Sequence, residues 1–344
     1  MDTQSLIVDL LSHQSELTST EIHAGIRSSQ SVRTTKRILD HLVAKKLIDK
    51  KGSYKSTRYS LGKAYRLLHS VDVDGYFAQD VDERTIHTSF NHQLLHEDLY
   101  LVDIFTDEEY KRLAELQATY QTNTADLTPL EYQKEIERLA IDLSWKSSQI
   151  EGNTYTLLET ERLLKEQVTA AGRTKDEAVM LLNHKEAIDF IVEHPEYLHQ
   201  LSVRHIEDLH SILTKELGVS RNLRRRRVGI TGTNYQPLDN EFQIREAFED
   251  MCKLINAKEG VFDKALLALV LISYIQGFVD GNKRTARITS NAILMAHQYC
   301  PVSFRTVDSI DYKKAMLVFC EQNNLTPFKR IFIDQFAFAV DTYF

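Results

Sequence analysis

The sequence predicts a mainly α-helical protein built from two parts of opposite charge. From about residue 85 onward, apolar residues recur at helical spacing almost throughout, and the 344 residues include only 12 Gly and 5 Pro. The first 70 residues hold 12 Lys and Arg against 6 Asp and Glu, whereas the whole chain has a net charge of −7. A small basic module is therefore joined to a larger acidic body.

Cysteine usage and hydropathy favour a cytoplasmic protein that is not embedded in a membrane. The three cysteines are far apart and lack metal-ligand spacing, which argues against a disulfide framework or a zinc site. The first residues lack the basic start of a secretory signal. The longest apolar run, Ala265 to Val279, is shorter than the ~20 residues that a membrane span needs.

The N-terminal module is expected to contain three short helices and a hairpin. A second helix begins in "TSTEIHAGI", with Ser19 or Thr20 as its cap, and a third extends from about Ser31 to Lys46. The stretch "LIDKKGSYKSTRYSL", residues 47–61, then places two β-capable ends around a basic tip that contains glycine. This hairpin is here named the wing. The residues expected in the core of the first and third helices are Leu6, Ile7, Leu10, Leu11, Val32, Leu39, Leu42 and Val43.

This order of elements resembles the winged helix-turn-helix family over residues 1–68, and we assign residues 1–70 to a DNA-binding domain. The resemblance implies that the third helix enters the major groove of double-stranded DNA while the wing contacts the backbone. The cations expected to contact phosphates are Arg33, Lys36, Arg37, Lys51, Lys55 and Arg58. A solvated basic face on a protein-interaction module is the alternative.

The body is expected to be helical, with one interruption. The acidic residues 71–90 form a linker, residues 91–335 form an all-α domain, and residues 336–344 form the end of its last helix. Residues 226–236, within "RRRRVGITGTNYQP", are expected to form a short β-hairpin. The main helices are expected at Tyr132–Ile150, Leu201–Leu217, Phe242–Lys258, Asp263–Ile275, Arg284–His297 and Tyr312–Asn323.

The stretch "IQGFVDGNKRTAR" places three cations at the start of a helix, where the macrodipole disfavours them. Gly281 and Asn282 tolerate positive φ, so the preceding turn can direct several backbone N–H groups at one point. These features predict a site for a polyanion, with Asp280 available to Mg²⁺ as an oxygen ligand. The alternative is an ordinary surface helix that Asp280 or Asn282 caps.

"FVDGNKRTAR" is similar to the signature of the Fic/Doc family, and the resemblance covers roughly residues 90–335. It implies an all-α core that binds ATP with Mg²⁺ and, in most members, transfers AMP to a hydroxyl of a target protein. By this resemblance Asp280 holds the metal and Arg284 has both a catalytic and a phosphate-binding role. The residues implied to bind the nucleotide are Phe278, Gly281, Asn282, Lys283, Arg284 and Arg287.

Two positions depart from the family signature. The general-base histidine is replaced by Gln276, with Gly277 in place of the following proline, and an amide cannot accept a proton near pH 7. Lys283 stands where AMP-transferring members usually have glycine. Lysine there resembles the Doc branch, which transfers phosphate.

The end of the helix expected at Tyr132–Ile150, "SSQIEG", resembles the inhibitory motif of the family through Ser147, Glu151 and Gly152. Glu151 lies at the C-terminal end of its helix, which is the unfavourable end for an acid. The resemblance implies a salt bridge from Glu151 to Arg287 that blocks the γ-phosphate, and we expect Ser147 to orient Glu151 by a hydrogen bond. A frayed surface glutamate is the alternative.

The predicted hairpin matches the family's flap, which clamps a target segment by strand addition. The matching residues are Val228, Ile230, Thr233 and Tyr235. The run Arg224–Arg227 is alternatively a solvated edge or a DNA contact. Tyr312 either lines an adenine pocket or belongs to the core.

These features favour a nucleotide-sensing DNA-binding regulator on an adenylyltransferase scaffold that lacks its catalytic histidine. The alternatives are a slow self-inhibited protein adenylyltransferase, a phosphotransferase, and a hydrolase that removes AMP from proteins using Glu151. A homodimer stays open, because winged-helix proteins commonly bind palindromes as dimers.

Overall fold

The computed structural model describes residues 3–14, 16–27 and 30–344, without the side chain of Lys55, and it confirms the mainly helical fold class. Two strands pair, β1 (Ile48–Lys51) and β2 (Arg58–Leu61). The helices are α1 (Thr3–His13), α2 (Ser19–Gly25), α3 (Val32–Ala44), α4 (Lys63–Leu68), α5 (Val73–Phe77), α6 (Leu99–Leu101), α7 (Asp107–Ala125), α8 (Pro129–Ile150), α9 (Leu157–Glu166), α10 (Lys175–Glu193), α11 (Val203–Leu213), α12 (Glu241–Ala257), α13 (Val261–Ile275), α14 (Asn282–Ala296), α15 (Ser309–Gln322) and α16 (Thr326–Tyr343).

The N-terminal module has its own hydrophobic core, formed by α1, α2, α3 and the hairpin. Helix α2 is capped by Thr18, whose hydroxyl accepts from the Glu21 amide while the Glu21 carboxylate accepts from Thr18. The expectation of a Ser19 or Thr20 cap was wrong because this reciprocal box needs an acid three residues after the cap. Val32, expected in the core, is 39% exposed because it lies in the first turn of α3, on the solvent side.

The hairpin pairs β1 and β2 antiparallel, with Ile48 opposite Leu61 and Lys51 opposite Arg58. Ile48 and Tyr59 point into the module core, whereas the basic residues point outward. The alternation of buried and exposed residues along short strands explains this division.

The module is attached to the body through α4 and its neighbours. Ala64 and Leu67 on α4 belong to the core of the body rather than to that of the module. The Lys63 ammonium lies 2.5 Å from a Glu97 oxygen and 3.0 Å from an Asp98 oxygen. The first 70 residues are thus packed directly on the body.

The body is organised around α13, which is apolar on every side. Residues 265–275 are fully buried, as expected for a central helix whose sequence has no polar face. Helix α13 packs mainly on α14, and α8, α10, α11 and α12 surround this pair. The loop between α13 and α14, residues 276–281, lies where these helices converge.

The expected β-hairpin at residues 226–236 does not form paired strands in the part of the chain that the structure describes. The segment turns at 231–232, but its second arm bonds elsewhere: the Gln236 amide donates to the Thr88 carbonyl, and Gln236 forms a parallel bridge with Ser89. Backbone groups of the second arm that were expected to pair with the first arm therefore pair with residues 88 and 89 instead. We keep the name flap for residues 226–236.

Two further expectations concern the cysteines and membrane insertion. Cys252, Cys300 and Cys320 are free and buried. No helix among the described residues has the length and apolar character to cross a membrane.

Candidate functional site

The loop between α13 and α14 has a backbone shape that its residues enforce. Gln276 ends α13 with φ 52°, and Gly281 precedes α14 with φ 81°. The side chain of Asn282 closes the loop, because its Oδ1 accepts from the Phe278 amide at 2.9 Å and its Nδ2 donates to the Phe278 carbonyl at 2.8 Å. Neither Asp280 nor Asn282 caps α14, so its first N–H groups have no capping side chain among the described residues.

Phe278 anchors this loop in the core. It is fully buried and stacks on the His210 ring with centroids 3.7 Å apart. The His210 Nε2–H donates to the Asp280 carbonyl at 2.9 Å. Burial lowers the pKa of His210 to about 4, so the ring stays neutral and holds the loop as a hydrogen-bond donor.

Arg224 holds the loop from the opposite side. Its amide donates to the Gly277 carbonyl at 3.0 Å, and its Nε donates to the Gln276 carbonyl at 2.5 Å. The other guanidinium nitrogens donate to the carbonyls of Arg226 and Leu238. Arg224 is 2% exposed, so it is neither a solvated edge nor a DNA contact. Arg225 and Arg227 are exposed and pair with acids.

Two of the three cations at the start of α14 are buried. Arg284 is 1% exposed and Arg287 is fully buried. Arg284 Nη2 lies 3.1 Å from an Asp280 oxygen, and burial lowers the pKa of this guanidinium. Arg284 Nε and Arg287 Nη1 have no hydrogen-bond partner among the described residues, which is costly for buried donors. An ordinary surface helix would not bury them.

Glu151, at the end of α8, supplies the opposite charge. One carboxylate oxygen lies 2.9 Å from Arg287 Nη2 and the other lies 3.3 Å from Lys283 Nζ. Burial would raise the pKa of this carboxyl, but the charges of Arg287 and Lys283 outweigh it and hold the pKa below its ordinary value. Glu151 is therefore paired rather than frayed, and Gly152 follows it with φ 101°.

Ser147 orients the arginine and not Glu151, contrary to expectation. Arg287 Nε donates to Ser147 Oγ at 2.8 Å, and Nη2 donates to the Ser147 carbonyl at 2.9 Å. The Ser147 hydroxyl hydrogen is then free for His184 Nε2, at 2.6 Å. Burial and the nearby Arg287 and Arg284 charges lower the pKa of His184 well below its ordinary value. Neutral His184 thus holds the Ser147 hydroxyl in the position where it accepts from Arg287.

Asp280 is the candidate metal ligand. Its side chain is 64% exposed, and its second oxygen accepts from the Gly281 amide at 2.6 Å. No group of three or more His, Cys, Asp or Glu side chains with metal-binding geometry occurs among the described residues. One exposed carboxylate fits Mg²⁺ in the form proteins use with nucleotides, where phosphates and water complete the coordination.

A cavity of about 470 Å³ opens beside this loop, within the size range of small-molecule sites. The flap forms one wall and α15 forms another. Glu151 and Lys283 line it as well, together with Gln276 and Asp280 of the loop. The remaining lining residues include Gly229, Ile230, Thr231, Lys313, Met316 and Leu317.

The position of the missing base is occupied by an amide with structural bonds. Gln276 Nε2 donates to the Ser273 carbonyl at 2.6 Å, and its Oε1 accepts from Asn282 at 3.2 Å. A Cβ added at Gly277 would lie 2.1 Å from Phe248 Cε2. The space for a proline at 277 is therefore filled by Phe248.

The four flap residues face different ways. Ile230 lines the cavity, and Val228 is half-buried. Thr233 Oγ1 accepts from the Tyr235 amide, and Tyr235 is buried and stacked on Tyr274. Tyr235 therefore belongs to the core. Tyr312 is also buried, with the Arg287 guanidinium 5.1 Å over its ring, so it supports the arginine.

The candidate DNA-binding residues lie on two neighbouring surfaces. Arg33, Lys36 and Arg37 are exposed on one face of α3 and form no ion pair with any residue in the described ranges. On the wing, Lys51 and Arg58 lie 3.8 and 3.7 Å from Glu16 and Glu21. The Lys55 side chain lies outside the described part of the structure.

Sequence reasoning missed three residues that build the site: His184, His210 and Arg224. Nothing in the local pattern around His184 or His210 indicates their partners, which are at least 37 residues away in sequence. Arg224 was noted as part of the flap pattern, but its burial follows from carbonyls that only the folded chain brings together.

Comparison with known families finds a match over the region that contains this loop. Residues 200–294 match the sequence profile of the Fic/DOC family. Protein adenylyltransferase Fic from Nematostella vectensis is 28% identical over 210 residues, covering 58% of this chain and 47% of the relative. The protein of the same name from Drosophila willistoni is 26% identical over 197 residues, covering 56% and 39%. The chain thus spans less than half the length of these relatives.

Solved structures with the same fold cover a larger part of the chain. A fragment of Fic-1 from C. elegans superposes with a TM-score of 0.58 at 19% identity, covering 69% of this chain and 71% of the fragment. A Fic domain-containing signaling protein from Bacteroides thetaiotaomicron gives 0.55 at 18% identity, with coverage of 67% and 93%. At these identities the likeness shows a shared fold.

Proposed function

We propose that this chain, which carries a Fic/DOC family domain, binds ATP with Mg²⁺ at the start of α14 and restrains that site through Glu151. We further propose that AMP transfer is impaired and that the protein acts as a nucleotide-sensing regulator that binds DNA through residues 1–70. The relatives are named protein adenylyltransferases, and that activity comes to this chain only as a proposal.

One observation carries the nucleotide-binding proposal. Glu151 lines the cavity together with the half-buried Lys283 and pairs with both Lys283 and the buried Arg287, while Arg284 Nε and Arg287 Nη1 have no hydrogen-bond partner among the described residues. Buried cations at a helix N-terminus are costly without an anion. A phosphate chain supplies that anion, and Glu151 occupies part of its place.

The roles of the individual residues follow from their positions. The open N–H groups at the start of α14 and Arg284 bind phosphate oxygens, and Asp280 would hold Mg²⁺, which offsets phosphate charge when bound. Glu151 keeps Arg287 and Lys283 engaged, so a phosphate reaches them only when the carboxylate moves. Gln276 donates to Ser273 and carries no basic nitrogen, so no side chain at this position removes a proton from a hydroxyl.

The test compares labelling by ATP and Mg²⁺ in four forms: unaltered, Gln276→His, Glu151→Gly and the double variant. We expect strong labelling only in the double variant, because a general base is typically worth 10²–10⁴-fold. The matched control is Gln276→Asn on the Glu151→Gly background, which keeps an amide at this position. Equal labelling by the unaltered protein and the double variant would show that the base is dispensable.

Slow adenylyl transfer by the unaltered chain is the second candidate, and the match of residues 200–294 to the Fic/DOC family favours it. Phosphate transfer and AMP removal are further alternatives, favoured by Lys283 and by the position of Glu151 in the cavity wall, respectively. Product analysis separates these reactions. AMP attached to a protein, phosphate attached to a protein, and released AMP differ in mass.

The unpaired cations on α3 support the DNA-binding part of the proposal. Arg33, Lys36 and Arg37 form one exposed face, and each phosphate contact contributes about 0.9 to the slope of log affinity against log salt. Replacing all three by Ala should reduce that slope by roughly 2 to 3 on upstream promoter duplexes. Arg162→Ala, on an exposed face of α9, is the control. No affinity for duplex DNA at low salt would remove the regulator proposal.

A further inference from the structure

Residues 78–91, here named the connecting segment, join the N-terminal part of the chain to the cavity. The segment follows α5 and lies along the flap. The Asn234 side chain donates to Asp82 at 2.8 Å, and Arg84 Nη2 donates to the Gly232 carbonyl at 2.6 Å. Together with the bond from Gln236 to Thr88, these contacts fix the turn and the second arm of the flap.

Arg84 is the buried centre of this arrangement. Its Nη1 lies 3.4 Å from a Glu321 oxygen, and the two side chains are 3% and 0% exposed. Tyr76, on α5, donates to the same carboxylate at 2.5 Å, and the Phe77 ring lies 4.9 Å from the guanidinium. A buried charge pair of this kind fixes geometry more than it adds stability.

Glu321 is at the end of α15, which also forms a wall of the cavity. Lys313, Met316 and Leu317 line the cavity from the middle of this helix. Leu317 precedes Glu321 by four residues, which is about 6 Å along the helix. A helix moves as a unit, so a shift of its middle turns reaches Glu321.

The residues directly after α15 hold the base of the N-terminal module. Asn324 Nδ2 donates to the His69 carbonyl at 2.9 Å, and the Leu325 amide donates to the Leu67 carbonyl at 2.7 Å. Leu67 lies on α4, which follows the wing by one residue. The two walls of the cavity formed by the flap and α15 are thus both bonded to the chain that bears the N-terminal module.

We propose that Arg84 and Glu321 are positioning residues that couple the cavity to the N-terminal module. By this coupling, MgATP in the cavity changes how readily the backbone hydrogen bonds of α3 and the wing open. This inference rests on the proposed nucleotide binding and adds the route by which binding reaches residues 32–61. This route requires that the flap or α15 shifts when MgATP binds. The Arg84–Glu321 pair then transmits the shift to α5 and α4.

The experiment must distinguish two roles for the Arg84–Glu321 pair, a structural brace that only stabilises the fold and a coupling element that transmits the effect of MgATP. Loss of a brace lowers stability and leaves the response of the N-terminal module to MgATP intact. Loss of a coupling element removes the response and leaves the affinity for MgATP intact. The change in hydrogen exchange caused by MgATP is therefore the informative quantity, because it is measured within each variant.

The experiment measures amide hydrogen exchange of residues 32–61 with and without saturating MgATP, in the full chain carrying Glu151→Gly. We expect exchange in this region to change at least fivefold, the lower end of typical coupling between sites. Arg84→Gln should reduce the change to less than about twofold while the affinity for MgATP stays within about twofold, and Arg84→Lys should retain part of it.

Two controls keep the outcomes distinct. Lys329→Gln breaks another, partly buried ion pair, with Glu109 at 2.7 Å. The Lys329 side chain donates to Glu109 and to the Ile104 carbonyl rather than to the flap or α15, so this variant should keep the full response. Tyr76→Phe removes one hydrogen bond to Glu321 with little loss of packing. It is the second test of the coupling and replaces Arg84→Gln if that variant does not fold. MgATP binding without any exchange change, or an undiminished change in Arg84→Gln or Tyr76→Phe, overturns the coupling alone. Absence of MgATP binding removes the proposed function and this inference together.

Discussion

The substitution Glu151→Gln isolates the charge at the centre of the site. It preserves the shape of the side chain and removes the carboxylate that meets Arg287 Nη2 at 2.9 Å and Lys283 Nζ at 3.3 Å. Two effects of opposite sign should follow. The folded protein loses stability because a buried cation loses its partner, and MgATP binds more tightly because its phosphates no longer displace a carboxylate.

The structure sets the size of each effect. Removing one partner from a buried ion pair costs about 3–5 kcal/mol, and the lower end applies because Ser147 still accepts two bonds from Arg287. The contact that a phosphate must displace is a charge-assisted hydrogen bond worth about 1.5–3 kcal/mol. Its loss should raise the affinity for MgATP by roughly 10- to 100-fold. Lys283, which is part exposed, contributes at most about 1 kcal/mol.

The assay combines thermal unfolding with calorimetric titration of MgATP. We expect the variant to unfold several degrees below the unaltered protein in buffer and to regain that difference in saturating MgATP. Glu166→Gln is the matched control, because its pair with Arg162 is 62% exposed on both sides and should matter little.

The reasoning is refuted if Glu151→Gln binds MgATP no more tightly than the unaltered protein. It is also refuted if the variant loses no stability, because the pair with Arg287 would then hold nothing in place. A gain in affinity without a loss of stability would show that Arg287 is satisfied by Ser147 alone.

Three further changes test the packing around the loop. Burial holds the pKa of His210 at about 4, so between pH 6.5 and 4 the unfolded chain binds a proton at this ring that the folded chain does not. The free energy of unfolding should therefore fall by about 2 kcal/mol from pH 7 to 5. Urea titrations should show a smaller fall in His210→Gln. Arg224→Met removes the donor to the carbonyls of Gln276, Arg226 and Leu238 and should cost about 3 kcal/mol in urea unfolding, whereas the exposed Arg225→Met should cost under about 0.5 kcal/mol. Gly277→Ala directs a methyl group against the Phe248 ring and should cost about 1–3 kcal/mol by the same measurement, while equal stability would mean that Phe248 moves aside freely.

The helices and the grouping of charged residues around the loop after α13 were largely predictable because their signals are local. The apolar run of α13 and the cations that follow it lie within one stretch of sequence, and periodicity alone predicts where α14 resumes. The unfavourable placement of Glu151 and of the arginines on their helices indicated that they have partners, and the family resemblance implied that Glu151 pairs with Arg287. Each of these inferences needs only the geometry of single helices.

The parts that sequence did not predict depend on contacts between distant segments. The flap lacks its paired strands because Gln236 bonds to Thr88 and Ser89, which no local pattern reveals. Ser147 faces Arg287 because His184, on another helix, occupies its other side. Residues 71–90 carry α5 and the buried Arg84, and α16 continues without a break past residue 335.

The central claim is that the start of α14 binds the phosphates of a nucleotide, and calorimetric titration of Glu151→Gly with MgATP tests it most directly. We predict saturable binding that weakens at least about tenfold when Arg284→Gln is added, since a charge-assisted bond to phosphate is worth about 1.5–3 kcal/mol. No heat in Glu151→Gly, or the same affinity with and without Arg284, would contradict the account.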